Sequence, residues 1–126
     1  MKCGIIEASR RSGIPSSALR YYVKMGLLSF VDRDENGYHV FKESDFEYLG
    51  FIQDLKSMGV SLEDIKLYID YCVAGHQTTQ RRVDVLSAHR EKTLQKIREM
   101  QDSVDRITQL IDFYEESLRT TDIEQI

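Results

Sequence analysis

Between the polar joint Gly75–Thr79 (GHQTT) and Leu118 the chain contains neither proline nor glycine, and its apolar residues recur at a fixed interval. With position a of a heptad at Val83, Arg90, Ile97, Val104, Ile111 and Leu118, position d falls at Leu86, Thr93, Met100, Ile107 and Tyr114. Nine of these eleven are apolar, and the two polar exceptions, Arg90 and Thr93, are neighbours. That spacing specifies a coiled-coil helix. The 36 residues from Val83 to Leu118 span about 54 Å at roughly 1.5 Å per residue. A compact domain built from residues 1–75 cannot cover so long a stripe, and no second long helix exists in the chain to receive it. The stripe is therefore expected to close against a second copy. The seam comprises Val83, Leu86, Ile97, Met100, Val104, Ile107, Ile111, Tyr114 and Leu118.

The segment before the joint is organised around PSSALRYYVKMGLL, Pro15–Leu28. Pro15 followed by Ser16 and Ser17 predicts a helix start, with either hydroxyl available to cap the first N–H groups. Gly26 predicts the left-handed turn that ends the helix. Arg20, Tyr21, Tyr22 and Lys24 lie between. An Arg followed by two aromatics on so short a helix makes a poor core and a good phosphate grip, through guanidinium, hydroxyls and helix N-terminus. Residues 4–12 predict a preceding short helix, with Ile5 and Ala8 on one face and Glu7, Arg10 and Arg11 on the other. Gly13 ends it and Ile14 is a buried joint. Two short helices about a glycine-containing turn form the helix-turn-helix pattern.

Asn36-Gly37 between two β-prone runs predicts a hairpin, a wing. Its tip carries Arg33, Tyr38 and His39, whereas Asp34 and Glu35 read as solvated. Ser44 begins a third helix with the apolar stripe Phe46, Leu49, Ile52 and Leu55, flanked by Tyr48 and Phe51 and ended by Gly59. Ser61 with Asp64 resembles a capping box and opens a fourth helix to about Val73, with Leu62, Ile65, Ile69 and Cys72 on one face. Cys72 reads as a buried small hydrophobe.

Charge is distributed unevenly. The net charge is −4, yet residues 1–33 hold six basic and two acidic residues, +4, which leaves −8 on the remaining 93. A basic patch on an acidic chain suits a polyanion. No apolar run approaches the ~20 residues of a membrane span, and the N-terminus lacks the apolar core of a signal peptide, so a cytoplasmic protein is expected. Cys3 and Cys72 make neither a disulfide framework nor a metal knuckle. His39, His76 and His89 are scattered over hairpin, joint and helix, where metal ligands would be gathered at short spacing. No phosphate-binding glycine loop, HExxH or CxxC is present. No nucleophile–base–carboxylate set is brought together by the expected elements, and Glu115–Glu116 and Asp32–Asp34 read as solvated. Neither an enzyme nor a cofactor site is expected.

LRYYVKMGLL (Leu19–Leu28), RDENGYHVF (Arg33–Phe41) and FIQDLKSMGVSLEDI (Phe51–Ile65), followed by a long coiled-coil helix, resemble the MerR family of bacterial transcription regulators. The resemblance implies a mainly α fold. Residues 1–75 would form a winged helix-turn-helix DNA-binding domain with a second helix pair. Residues 76–118 would form a coiled-coil dimerisation helix pairing antiparallel with its copy, and residues 119–126 a tail. It further implies a homodimer that distorts promoter DNA between the −35 and −10 elements so that RNA polymerase can use it. Carried over residue by residue, DNA contacts fall on Ser16, Ser17, Arg20, Tyr21 and Tyr22 of the recognition helix, on Arg33, Tyr38 and His39 of the wing, and on Lys56.

Three positions depart from the pattern. Val23 stands where the family usually has Glu, and His39 where it has Arg. Asp54 stands where the aldehyde- and thiol-responsive members, whose texture is closest, carry a cysteine. Only Arg119–Ile126 follow the coiled coil, so any small-molecule effector is expected near Tyr68, Tyr71, Cys72 and His76. Two other readings stay open: an architectural DNA-binding protein without an effector, and a coiled-coil adaptor whose winged domain binds protein.

Overall fold

The computed structural model describes residues 2–120. In chain order it contains α1 (Ile5–Ser12), α2 (Ser16–Lys24), β1 (Asp32–Arg33), β2 (His39–Val40), α3 (Asp45–Ser57), α4 (Leu62–Ala74) and α5 (Thr79–Arg119), with a 3₁₀ turn over His76–Thr78 between the last two helices. Two compact units result, the first ending at Leu86 and the second beginning at Ser87. Of the tail expected over 119–126, only Arg119 and Thr120 lie within the described residues.

The first unit holds one apolar core. Ala8 of α1, Leu19 and Tyr22 of α2, Leu49 and Ile52 of α3, and Ile65 and Ile69 of α4 all enter it, with Ile14, Leu27, Leu28 and Phe41 from the connections. The expected faces of α1, α3 and α4 turn toward the core, but Cys72, expected to be buried, is only half-buried because it lies beyond Ile69, the last α4 residue in the core. Two helices end in the same way. Leu27 N–H donates to the Tyr22 carbonyl (2.9 Å) and Gly26 N–H to that of Val23 (3.1 Å); Val60 N–H donates to Leu55 (3.0 Å) and Gly59 N–H to Lys56 (3.0 Å). Each pair is a Schellman motif, and the glycine is required because φ is +83° at Gly26 and +82° at Gly59. Leu27 and Val60, which follow, are buried, so each helix end delivers a core residue.

The start of α2 differs from the sequence expectation. Pro15 is itself the N-cap, and no side chain caps the helix. Ser16 and Ser17 are already helical there, and a capping hydroxyl must come from the extended residue just before the first turn. At α4 the cap is as expected: the Ser61 hydroxyl accepts the Asp64 N–H at 3.2 Å.

The wing is narrow. Its register pairs Asp32 with Val40 and Arg33 with His39, and the Cys3 and Phe41 backbones add one antiparallel bridge. Asp34 N–H donates to the Tyr38 carbonyl and Gly37 N–H to that of Asp34. The loop is therefore the three residues Glu35–Gly37, with Gly37 in the left-handed region at φ +85°, rather than a two-residue Asn-Gly turn. Asp34 corrects the expectation of a merely solvated carboxylate. Its Oδ1 accepts N–H groups from Asn36 (2.9 Å) and Tyr38 (3.0 Å), an Asx arrangement that closes the turn.

The first unit extends past the boundary expected at residue 75. Thr78 is buried, and its hydroxyl lies 2.5 Å from the Tyr71 carbonyl and 2.8 Å from that of Gly75. Arg82 donates to the same Gly75 carbonyl at 2.8 Å and to Thr78 Oγ1 at 3.2 Å. The first turn of α5 is thereby tied to the end of α4.

Candidate nucleic-acid interface

Among the cations of α1 to α4 and the wing, two groups stand out. One group is used by the fold. Arg10 pairs with Glu7. Arg11 makes a two-pronged bond to Glu43 (2.8 and 2.9 Å) and lies 4.0 Å over the Phe46 ring. Lys42 pairs with Asp45 (3.1 Å) and Asp32 (3.6 Å), and Lys66 with Asp70 (2.9 Å). The other group comprises Arg20 and Lys24 on α2, Arg33 on β1 and Lys56 on α3. These are exposed and, among the described residues, have no ion-pair partner. The fold thus satisfies the basic residues of α1 and leaves those of α2 and the wing open to an external anion.

Three surface hollows show how these residues are grouped. One of about 430 Å³ is lined by Ile5, Arg20, Val23, Tyr38 and His39, so α2 and the wing tip share a groove. A second of about 320 Å³ is lined by Val23, Ser29, Arg33 and His39. A third of about 690 Å³ joins Pro15, Ala18 and Tyr22 to Asp54 and Lys56. Lys56 therefore belongs to the side of the helix-turn-helix at which α2 begins, sharing a hollow with Pro15 and Ala18, while Arg33 belongs with the wing. Val23 and His39, two of the departures from the family pattern, line the same two hollows. Where the pattern has a carboxylate and a guanidinium, this chain has an apolar residue and an imidazole. The His39 imidazole is held below its ordinary pKa, first by burial and then by the neighbouring Arg33 charge.

The two tyrosines separate. Tyr21 is 47% exposed beside Arg20, but Tyr22 is only 4% exposed and its ring is part of the core. The expectation that both aromatics form an outward grip is corrected for Tyr22. Adjacent helical residues point about 100° apart, so one Tyr of the pair must follow Leu19 inward. Burial holds the Tyr22 phenol above its ordinary pKa, and only its rim reaches the hollow beside Lys56.

The expected effector residues lie around the joint at the end of α4. Tyr68 packs edge-on against Phe51 (6.3 Å between ring centres). Its phenol is held above its ordinary pKa by burial and by the adjacent Cys72. The Arg81 guanidinium lies 5.8 Å from the Tyr71 ring. His76 is exposed in the 3₁₀ turn, and among the described residues its side chain makes no hydrogen bond or ion pair. Tyr68 and Cys72 are thus neighbours in a packed joint, and His76 stands apart from them. Among the described residues no group of three His, Cys, Asp or Glu could hold a metal ion, and no helix is long and apolar enough to cross a membrane.

The seam positions are exposed along the whole of α5, which buries no residue. Met100 is 70% and Leu118 80% exposed, and Leu94, Leu110 and Phe113 widen the apolar stripe beyond the heptad.

Residues 3–72 match the MerR HTH family regulatory protein domain, and residues 46–110 match the MerR DNA-binding region. The chain is 32% identical to an uncharacterised HTH-type transcriptional regulator of Haemophilus influenzae over 88% of its own length and 82% of that protein. Among solved structures it is similar to HiNmlR, a MerR family regulator lacking the sensor domain and bound to promoter DNA, with 31% identity, a TM-score of 0.66 and 93% of each chain covered. A MerR-type regulator of Listeria monocytogenes matches with 30% identity, a TM-score of 0.69 and coverage of 90% of this chain and 86% of that one. With a helix-turn-helix, a wing, a second helix pair and a long terminal helix in the order these relatives share, the chain belongs to the MerR family of transcription regulators.

Proposed function

We propose that this regulator binds promoter DNA as a homodimer and deforms it between the −35 and −10 elements so that RNA polymerase can engage both. The observation that carries this reading is the set of unpaired cations, Arg20, Lys24, Arg33 and Lys56, on a chain whose net charge is −4. Exposed cations without carboxylate partners, grouped with Ser16, Ser17, Tyr21, Tyr38 and His39, are the donors that phosphate oxygens take up. Arg20 and Tyr21 would sit with α2 in the major groove, and Arg33 and His39 would reach the flanking backbone from the wing. Residues 1–75 carry this role and residues 76–118 that of the dimer helix.

The exposed stripe from Val83 to Leu118 supports the homodimer. A single chain that left these apolar residues in water would forgo about 25 cal/mol for each Å² of apolar surface it could cover. Antiparallel pairing holds two DNA-binding units apart at the two ends of one seam. Bending between half-sites is a deformation that such a rigid pair can impose. HiNmlR, which lacks the sensor domain, was crystallised on promoter DNA, and that supports DNA binding by a chain of this length. Control by a small molecule would act at the α4–α5 joint, around Tyr68, Tyr71 and Cys72. A cytoplasmic location follows from the partner.

The test is binding of the full chain to DNA upstream of its own gene across a salt series, with footprinting on the same fragment and sedimentation of the free protein. The expected result is a dimer, an affinity that falls steeply with salt, and a palindromic footprint between two promoter elements. A monomer at micromolar concentration would remove the dimer. Absence of sequence-specific binding would move the wing to the adaptor reading.

A further inference from the structure

The Lys42 ammonium reaches the start of α3, the first strand of the wing and the connection that leads into that strand. Its backbone N–H donates to Asp45 Oδ2 at 3.0 Å and its Nζ to Asp45 Oδ1 at 3.1 Å, at the start of α3. The same Nζ lies 3.6 Å from Asp32 Oδ2, on the outgoing strand of the wing, and 3.4 Å from the Phe30 carbonyl, just before that strand. Asp45 is 1% exposed, so its carboxylate is satisfied by Lys42 or left as a buried unpaired charge. Asp32 is the residue before Arg33 and the register partner of Val40.

The wing cannot set its own inclination. It has two register pairs, and a short two-stranded hairpin is marginal by itself. Val31 and Phe41 root its base in the core; beyond that base its polar attachments are the Cys3–Phe41 bridge on the returning side and the Lys42 ammonium on the outgoing side. Lys42 is also held by protein oxygens, which leaves it a poor phosphate ligand beside the unpaired Arg33.

We infer that Lys42 is a positioning residue for DNA recognition, a strut from the buried Asp45 to Asp32 and Phe30 that aims Arg33 and His39 at the DNA backbone. The inference rests on the wing's being a DNA-contacting element, and the test separates the two. Affinity for the upstream DNA fragment is measured with the full chain for Lys42→Met, Lys42→Arg, Asp32→Asn and Arg33→Ala, and for the first and third combined with Arg33→Ala. Asp32→Asn leaves the Lys42–Asp45 pair in place and keeps the fold testable if Lys42→Met melts.

Lys42→Met is expected to weaken binding about five- to tenfold, and about twofold at most in the Arg33→Ala background, because the two act as one unit. Asp32→Asn is expected to cost about twofold, in keeping with an exposed pair, and nothing further once Arg33 is gone. The salt slope of Lys42→Met should fall toward that of Arg33→Ala, with no further fall in the double variant, and Lys42→Arg should keep the parent affinity. Equal losses in both backgrounds, or no loss for either Lys42→Met or Asp32→Asn, would overturn the strut while leaving Arg33 a contact. An unchanged affinity and slope for Arg33→Ala would overturn the wing reading itself, and the strut with it.

Discussion

The first unit and the helix beyond Leu86 treat apolar residues in opposite ways. In the first, fourteen hydrophobic side chains are buried in one cluster, the ends of α2 and α3 each return a residue to that cluster, and even the buried Asp45 has its cation. In α5 no residue is buried, although Ile97, Met100, Val104, Ile107 and Ile111 are as apolar as anything in the core. One region is complete in a single chain. The other leaves its apolar stripe exposed, which is what the proposed dimer would cover. Apolar residues placed at heptad spacing, rather than on every face, are what a helix needs in order to pair while staying soluble on its outer side.

That contrast can be broken most severely at the seam. Ile107→Asp should abolish dimerisation, at about 4 kcal/mol per dimer because each copy would bury an unpaired carboxylate in the seam. Sedimentation should show a monomer, and thermal melting should lose its concentration dependence. Leu49→Ala makes the opposite cut. Removing a fully buried core side chain should cost about 3 kcal/mol of first-unit stability, read by chemical denaturation, with no change in the mass of the folded dimer. If the two variants gave the same concentration dependence, the distinction between a self-sufficient unit and a half-interface would be lost.

A smaller effect sharpens the parallel division among cations. Arg20→Ala should weaken binding to all sequences by about tenfold and reduce the salt slope by roughly one unit per subunit. Arg10→Ala, which removes a residue already paired with Glu7, should leave the slope unchanged. The smallest expected effect is a pH dependence at His39. Its folded-state pKa lies below the ordinary value, so the neutral imidazole is the folded form. Its contribution to stability is complete above the unfolded pKa near 6.5 and is lost as pH falls through the lower folded value. Phosphate beside the ring favours the charged form, so DNA binding should take up protons and tighten as pH falls from about 8 to 6. Affinity measured over that range should lose this dependence in His39→Gln.

The elements were largely legible along the chain because their signals are local. Gly26 and Gly59 mark helix ends by backbone geometry, Ser61 marks a helix start, and the stripes of α3 and α4 follow the helical period. The candidate interface was legible as a list of cations, but not as a selection of those the fold leaves unpaired. Arg10 and Arg11 look as available as Arg20 in sequence; Glu43, 32 residues beyond Arg11, claims one of them only in the folded chain. Tyr21 and Tyr22 are indistinguishable by type, and their separation depends on which side of α2 meets the core. Asp34 read as a solvated carboxylate, and nothing local singled out Asp45. Their roles come from N–H groups and an ammonium that the turn and the α3 start bring to them.

What the sequence determined by itself was therefore the order of elements, the presence of a long helix that one chain cannot cover, and the family to which the chain belongs. These follow from periodicity, from glycine and proline, and from short motifs, all of which act within a few residues. Only the tertiary structure decided which charges are neutralised and which stay open, which aromatic is core, and how Lys42 links the wing to α3. Those are matters of distance between residues far apart or differently oriented, and Coulomb and hydrogen-bond energies depend on that distance rather than on position in the chain.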